Sequence, residues 1–312
     1  VGSQNGIDTA FNHIRVGSTV VGMGWRVTTA LLQPSGMFQS MARIGTKWSI
    51  VGLKRFMTNP MAANDFVNSM SPMMVTRAST MQREVSEVMN QVRGAKQLTN
   101  VKASAFVMIA KMQRLVDIPT WIGAYEKGLE QLGYDKANNE AERKKIEDTA
   151  ASLGDQAVLD SQSGGQIKDL AKVQRLGPVI KTLTNFYSYF SATYNLNVEN
   201  YRKTNFKSFA AIMEFASNVL LLNLFPVIYT VLLREALNRE CEWEWDCLKH
   251  QYANEQISFI LGQAVPVREL TVSATSLYNQ ATDQPDYFKW SGPAGMRLFS
   301  DTSKLGKQLG QA

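Results

Sequence analysis

Residues 218–247 read NVLLLNLFPVIYTVLLREALNRECEWEWDC, an apolar run that breaks into charge and then places two tryptophans between two cysteines. The run belongs to a longer apolar segment, residues 209–233, which contains few polar side chains. A helix of this length is sufficient to cross the apolar core of a bilayer, which is about 30 Å thick. The segment therefore determines whether the chain meets lipid or buries these residues within protein.

The flanks of the segment favour membrane contact, whereas its interior favours burial in protein. Trp243 and Trp245 follow it at the distance expected of interfacial aromatic residues. The flanking cations are Arg202, Lys203 and Lys207 before it, and Arg234 and Arg239 after it. Within it, an unpaired acid such as Glu214 would cost on the order of 2.5–3.5 kcal/mol in lipid. Two interpretations stay open: a helix that contacts a membrane, and a helix buried in a core or subunit interface.

A helix through the segment should be kinked or interrupted near Pro226. Proline lacks the backbone donor, and its ring clashes with the carbonyl four residues earlier. On a regular helix Glu214 and Asn218 share one face, and Asn223 lies on another. We therefore expect polar groups on two sides of the helix, with Glu214 and Asn218 facing another helix or a water-filled lumen, where they can be paired.

The apolar side chains of the segment and the two tryptophans after it are the candidates for contact with a membrane or another subunit. These candidates are Phe209, Ile212, Phe215, Val219, Leu220, Leu221, Leu224, Phe225, Val227, Ile228, Val231, Leu232, Trp243 and Trp245. With the other apolar stripes of the chain, they form more apolar faces than one compact layer needs, which predicts a ring of copies.

Outside the segment, apolar residues recur every three or four positions, which is the period of an amphipathic helix. The clearest stripes lie at 75–92, 101–115 and 180–194. Turn sequences such as TNP at 58–60 and LGYD at 132–135 separate the periodic stretches, and strand signals are almost absent. The sequence predicts an all-α fold, an elongated multi-helix bundle of about nine to eleven helices with no sheet.

The Gly- and Ser-rich stretch at 161–167 marks the expected boundary between an N-terminal helical region, 1–160, and a C-terminal helical region, 161–312. The charged stretch at 136–158 is expected to be a solvated arm or the outer layer of a bundle. The chain begins without methionine and without a signal-peptide pattern, so we expect it to be part of a longer polypeptide.

Basic residues are concentrated before residue 60 and between 161 and 208, in a chain whose net charge is +6. Basic surfaces can meet nucleic acid or anionic lipid, although ordinary solvated helix faces have the same composition. The candidates for contact with passing DNA are Arg43, Lys47, Lys54, Arg55, Lys168, Lys172 and Arg175.

Cys241 and Cys247 lie six residues apart, which on a continuous helix places their thiols on nearly opposite sides. A disulfide would need a break in the helix, so two unpaired thiols are expected. Zinc is not expected, because His250 is the nearest histidine and no second ligand pair follows it.

The sequence lacks the motifs of common catalytic sites. Its two histidines, His13 and His250, are far apart, and no HExxH, GxxxxGK[ST] or GxSxG pattern occurs. Glu242 and Glu244 fit a solvated acidic face better than an acid–base pair. We therefore expect no enzymatic activity from this chain and no cofactor, although a catalytic domain could precede it in a longer polypeptide.

Three stretches, in this order, resemble a known family. They are ALLQPSGMFQSMARIGTKW at 30–48, GDQAVLDSQSGGQIKDLAKVQR at 154–175 with IKTLTNFYSYFSATYN at 180–195, and GQAVPVRELTVSA at 262–274 with YFKWSGPAG at 287–295. Together they resemble the helical large polyvalent protein-associated domains, which lie near the C-terminal end of very long phage and mobile-element polypeptides. Internal virion proteins of short-tailed phages are among them.

The resemblance implies a protein stored in the virion interior, ejected with or before the genome, and then located in the host cell envelope. It implies a homo-oligomeric conduit for DNA. The implied partners are other ejection, portal or tail proteins, DNA bound without sequence specificity, and the host membrane. The alternative is a helical accessory domain of a giant phage polypeptide whose virion polymerase or peptidoglycan lyase lies upstream. A nucleic-acid-binding helical module and a membrane protein of another family are two further alternatives.

Overall fold

The computed structural model describes residues 27–77, 96–162, 187–239 and 241–263, and within these ranges every regular element is helical. This confirms the all-α prediction for the described part of the chain. In chain order the α-helices are α1 Val27–Leu32, α2 Gly36–Ile44, α3 Thr46–Thr58, α4 Pro60–Met70, α5 Lys96–Leu132, α6 Glu140–Gln162, α7 Tyr187–Lys203, α8 Phe209–Val219, α9 Phe225–Asn238 and α10 Trp245–Gly262. A π-helical turn, Leu220–Leu224, joins α8 to α9.

Helices end at the turn sequences from which their ends were predicted. Asn59 separates α3 from α4 in extended conformation, and its side-chain oxygen accepts a hydrogen bond from the backbone N–H of Ala62. Pro60 follows at the start of α4, where its missing donor costs nothing. At the end of α5, Gly133 adopts a left-handed conformation (φ 74°), which glycine tolerates best.

The core of the N-terminal half is built around Trp121 of α5, whose side chain is fully buried. Its ring stacks on Tyr125, with ring centroids 5.2 Å apart, and meets the edge of Phe66. Its indole N–H donates to Asp155 of α6 over 2.7 Å, and the hydroxyl of Ser71 donates to the same carboxylate oxygen. The polar tip of the largest core side chain is thus satisfied by the neighbouring helix.

Helices α3 and α5 cross with their backbones in contact. A Cβ added to Gly52 would lie 2.0 Å from the carbonyl oxygen of Pro119, and one added to Gly123 would lie 2.4 Å from that of Trp48. Only glycine fits at either position, because real Cβ atoms do not approach this closely.

Most of the charged stretch at 136–158 lies in α6, an outer helix whose first half is exposed. Its second half buries small residues against α5, among them Ala150, Ala157 and Val158, and its Gly154 lies against the ring of Trp121. The outer-layer interpretation is therefore the correct one of the two. A solvated arm would not bury this face.

The predicted apolar stripes of α5 and α7 are partly wrong. Leu115 and Tyr194, which the periodicity placed on buried faces, are exposed, whereas Val116 and Leu196 are buried. On α5 the largest buried side chain, Trp121, lies beyond the predicted stripe, and buried polar residues interrupt the apolar spacing of both helices, so that spacing alone did not locate the packed faces. Most of the stripe at 75–92 and of the expected domain boundary lies outside the described residues.

The Gly52→Ala substitution should lower the free energy of unfolding by about 1–3 kcal/mol, because the added methyl group would force α3 away from the α5 backbone. Urea unfolding followed by circular dichroism measures this. Lys54→Ala, an exposed change one half-turn away, should stay within about 0.5 kcal/mol of the parent. Equal stability of the two variants would show that α3 and α5 do not cross this closely.

Candidate functional site

The apolar segment forms a helix of 30 residues, Phe209–Asn238, which comprises α8, the π turn and α9. Within the described residues it is the one helix long and apolar enough to cross a membrane. Only 28% of its most apolar 18-residue stretch is buried by the rest of the chain.

The π turn lies directly before Pro226, as the predicted interruption requires. The backbone N–H of Phe225 donates to the carbonyl of Leu220, five residues earlier, instead of to the residue four earlier. Pro226 then falls in the first turn of α9, directly after the widened turn. The helix thus accommodates proline by inserting one residue rather than by breaking.

The inserted residue changes which side of the helix is polar. Five residues apart on a regular α-helix, Asn218 and Asn223 would point about 140° apart. With the π turn between them, both reach α7: the Asn218 amide donates to Asn200 over 3.1 Å, and the Asn223 amide donates to Asn197 over 2.9 Å. The expected polarity on two sides is therefore wrong for these asparagines, and the pairing expected for Asn218 is confirmed.

Asn223 is also the centre of an amide cluster that ties three helices together, formed with Asn197, Gln256 and Gln263. The Gln263 amide donates to the side-chain oxygen of Asn223 over 2.9 Å, and the Gln256 amide donates to its backbone carbonyl over 3.0 Å. Hydrogen bonds from both α7 and the end of α10 thus fix the rotation of the long helix about its axis.

The side of α8 opposite Asn218 is apolar and uncovered, and no residue of α8 is buried. We define the α8 apolar face as three large exposed side chains of α8 and the first residue of the π turn: Phe209, Ile212, Met213 and Leu220. They follow the three- and four-residue spacing of one helix face, and Phe209 is 78% exposed. Glu214 lies one turn before Asn218 on the other side of α8 and is exposed, so no carboxylate is buried here.

The candidate contact residues separate into those that face outward and those that face protein. Exposed are Phe209, Ile212, Leu220, Phe225, Leu232, Trp243 and Trp245; buried are Leu221, Val227 and Val231; half-buried are Phe215, Val219, Leu224 and Ile228. None of the buried candidates lies in α8, whereas two of the three lie in α9. Phe38 of α2 stacks on Phe225, which explains why α9 is the better covered half.

Aromatic and basic side chains surround the start of α8. The rings of Tyr201, Phe206 and Phe215 pack together with centroids 5.4–6.5 Å apart. Arg202, Lys203 and Lys207 are exposed beside them. The Lys203 ammonium group pairs with Glu199 one turn earlier on α7 and lowers the pKa of that carboxyl.

The expectation of two unpaired thiols is wrong, because Cys241 and Cys247 form a disulfide with their Cα atoms 5.5 Å apart. Helix α9 ends at Asn238, and Arg239, Glu242 and Trp243 adopt left-handed conformations that reverse the chain. The break that a disulfide needs is therefore present. None of these residues is glycine, so the sequence carries no turn signal for it.

Glu235 of α9 holds the loop closed by this disulfide, residues 241–247, which we call the Cys loop. Its side chain is fully buried, and its two oxygens accept hydrogen bonds from the backbone N–H groups of Cys241 (2.9 Å) and Trp243 (2.8 Å). Trp243 and Trp245 project outward, 53% and 69% exposed. Sequence reasoning missed Glu235, because an acid near a helix end has the pattern of a solvated one.

The candidate DNA-facing cations of the N-terminal half have acidic neighbours. Arg43 pairs with Asp160 (2.8 Å), Lys47 with Glu130 (3.3 Å), and Arg55 with Glu126. Lys54 is exposed on α3. Lys168, Lys172 and Arg175 lie outside the described residues. Contact with DNA stays a prediction for all seven.

Among the described residues, no group of three or more His, Cys, Asp or Glu side chains is placed to hold a metal ion. No protein-family model matches the chain, and neither a curated protein nor a solved structure matches it. The absence of enzymatic activity stays a prediction.

The Asn223→Ala substitution should lower the free energy of unfolding by about 1–3 kcal/mol, because it leaves the amides of Asn197 and Gln263 short of a partner. Thermal or urea unfolding measures the loss. Asn195→Ala, an exposed asparagine on α7, is the matched control and should change stability by less than about 0.5 kcal/mol. Indistinguishable variants would mean that the amide cluster does not fix the long helix.

The Glu235→Gln substitution should destabilise the Cys loop by about 1–3 kcal/mol, because one acceptor oxygen becomes an N–H₂ group facing a backbone donor. The disulfide should then react faster with dithiothreitol in a thiol-release assay. Glu244→Gln, an exposed change in the same loop, should react like the parent. A Glu235→Gln variant that also matched the parent would rule out the carboxylate as the anchor of the loop.

Proposed function

We propose that this chain is an internal virion protein of a phage, ejected with or before the genome, that forms a homo-oligomeric conduit and contacts lipid of the host envelope through α8. The observation that carries the proposal is the α8 apolar face. It is fully helical, the Asn218 amide on the opposite side is paired with Asn200 of α7, and none of its residues is buried.

An uncovered apolar helix face of this kind favours association with lipid or protein. The hydrogen bonds of Asn218 and Asn223 go to α7 and α10, away from the apolar face. Lipid or a neighbouring subunit could therefore cover the face without breaking a hydrogen bond. This pairing removes the cost that the two asparagines would otherwise impose in a bilayer, and Glu214 is the one exposed carboxylate of α8.

The cations at the start of α8 support contact with an anionic membrane surface. Arg202, Lys203 and Lys207 are exposed beside the aromatic rings of Tyr201 and Phe206. Aromatic rings prefer the interface of a bilayer, and each nearby cation contributes roughly 1 kcal/mol of attraction to an anionic leaflet. The arrangement resembles the polar and apolar edges of an interfacial helix.

The disulfide supports a destination outside the reducing cytosol, since disulfides persist in oxidising compartments such as the periplasm. A protein that leaves the virion for the space between two host membranes would enter such a compartment. The phage assignment itself rests on the three resembling stretches of sequence.

Replacing Phe209 and Met213 with aspartate should weaken vesicle binding roughly tenfold or more, because the change removes two large apolar side chains from the α8 apolar face and adds two charges there. Flotation of the full chain with phosphatidylethanolamine–phosphatidylglycerol vesicles measures this. The matched control is Leu132→Asp/Leu153→Asp, which changes two exposed leucines of α5 and α6 and should bind like the parent.

In virions that carry the chain, Phe209→Asp/Met213→Asp should package DNA normally and deliver it poorly. The proposal fails if the parent chain neither floats with vesicles nor sediments as an oligomer. It also fails if the control pair weakens binding as much as the α8 pair, since the apolar face would then have no special part in it.

A further inference from the structure

The Cys loop is built to hold two tryptophans outward. Glu242 and Trp243 adopt left-handed backbone conformations (φ 51° and 63°), which cost energy for residues other than glycine. The disulfide and the buried Glu235 carboxylate stabilise this geometry from two sides. Because the loop is already ordered, a partner would bind Trp243 and Trp245 with little further loss of conformational entropy.

The charge around the tryptophans restricts the partner. Glu242, Glu244 and Asp246 are all exposed in the same loop. One of them, Asp246, pairs with Lys249, whose ammonium group lies 5.5 Å from the Trp245 ring. Three carboxylates within seven residues oppose docking on an anionic bilayer and favour a surface that combines cations with apolar contact area.

A surface with that chemistry lies on α3 and the start of α4. Ile50, Met57 and Met61 are exposed there, the last two by 71% and 79%; Lys54 is exposed among them, and Lys47, which pairs with Glu130 within the chain, lies on the same side. Residues 47, 50, 54 and 57 share one side of α3, and we call this set with Met61 the α3 face. Methionine adapts to aromatic rings, and lysine pairs with carboxylates and with the faces of indoles.

We propose that the Cys loop of one copy of this chain docks on the α3 face of the next copy. Both surfaces are exposed in a single chain, so they do not contact each other within it and are available to a second copy. Tryptophan rings would cover Ile50 and the methionines at the centre, while the carboxylates of Glu242 and Glu244 would meet Lys47 and Lys54 at the rim. Such a head-to-tail contact closes a ring when its rotation allows.

This inference rests on the proposed function only through the homo-oligomer, whose interface it names. The test uses sedimentation velocity of the full chain under oxidising conditions. Reversing the loop charges (Glu242→Lys/Glu244→Lys) or the face charges (Lys47→Glu/Lys54→Glu) should weaken self-association at least about tenfold. The matched control, Glu140→Lys/Asp148→Lys, makes the same change in charge on exposed positions of α6 and should assemble like the parent.

Complementation separates a specific interface from general damage. The quadruple variant that carries both reversals should assemble again, and so should an equal mixture of the two double variants, because each loop then finds a face of opposite charge. Cys241→Ser/Cys247→Ser and Trp243→Ala/Trp245→Ala should each weaken assembly, and circular dichroism should report folded chains throughout.

Several results would overturn the inference. If the parent chain does not self-associate, both the interface and the oligomer of the proposed function are wrong. If oligomers persist in both charge reversals, or if the quadruple variant fails to regain assembly, the interface is wrong while the oligomer stands. If Trp243→Ala/Trp245→Ala abolishes vesicle flotation and leaves the oligomer intact, the loop contacts lipid instead of another copy.

Discussion

The need to pair the amide groups of Asn223 governs the arrangement of the C-terminal half. Its side chain and backbone carbonyl take hydrogen bonds from α7 and α10 and give one to Asn197, so the long helix can sit in only one rotation. An unpaired amide at a partly buried position would cost about 1–3 kcal/mol, which exceeds the gain from a small adjustment in apolar packing. The apolar face of α8 is left outward because the polar side must face inward.

This constraint has different consequences for the two halves of the apolar segment. In α9 the apolar side chains of Val227 and Val231 are buried with the Cys loop and α10, as in a core helix. In α8 the same kind of side chain is uncovered. The apolar segment thus consists of an uncovered part and a buried part that follow one another along one helix. The π turn, where polar groups change register, separates them.

The all-α class, the helix ends at Asn59 and Gly133 and the interruption near Pro226 could be predicted, because each depends on local chemistry. The π turn's effect on Asn218 and Asn223 could not be predicted. The sequence shows the proline, but it does not show which side chains of the neighbouring helices are placed to pair with the two asparagines. The packed face of α6 was missed because alanine and glycine make most of it, and the close crossing of α3 and α5 was missed because the spacing of large apolar residues does not report backbone contact. The disulfide was missed because non-glycine residues take the left-handed turn.

The α8 apolar face and the Cys loop have a fixed position relative to each other, and this constrains how copies of the chain could be arranged. The α8 apolar face and the Cys loop lie at opposite ends of one 30-residue helix, and buried α9 joins them. Glu235 fastens the loop to α9, and the amide cluster fastens the junction with α8 to the rest of the chain. A repeated head-to-tail contact gives every copy in a closed ring the same orientation relative to the axis. A ring held through the Cys loop would therefore carry all its α8 faces at one level, where a membrane surface could meet them together and weak contacts per copy would add up.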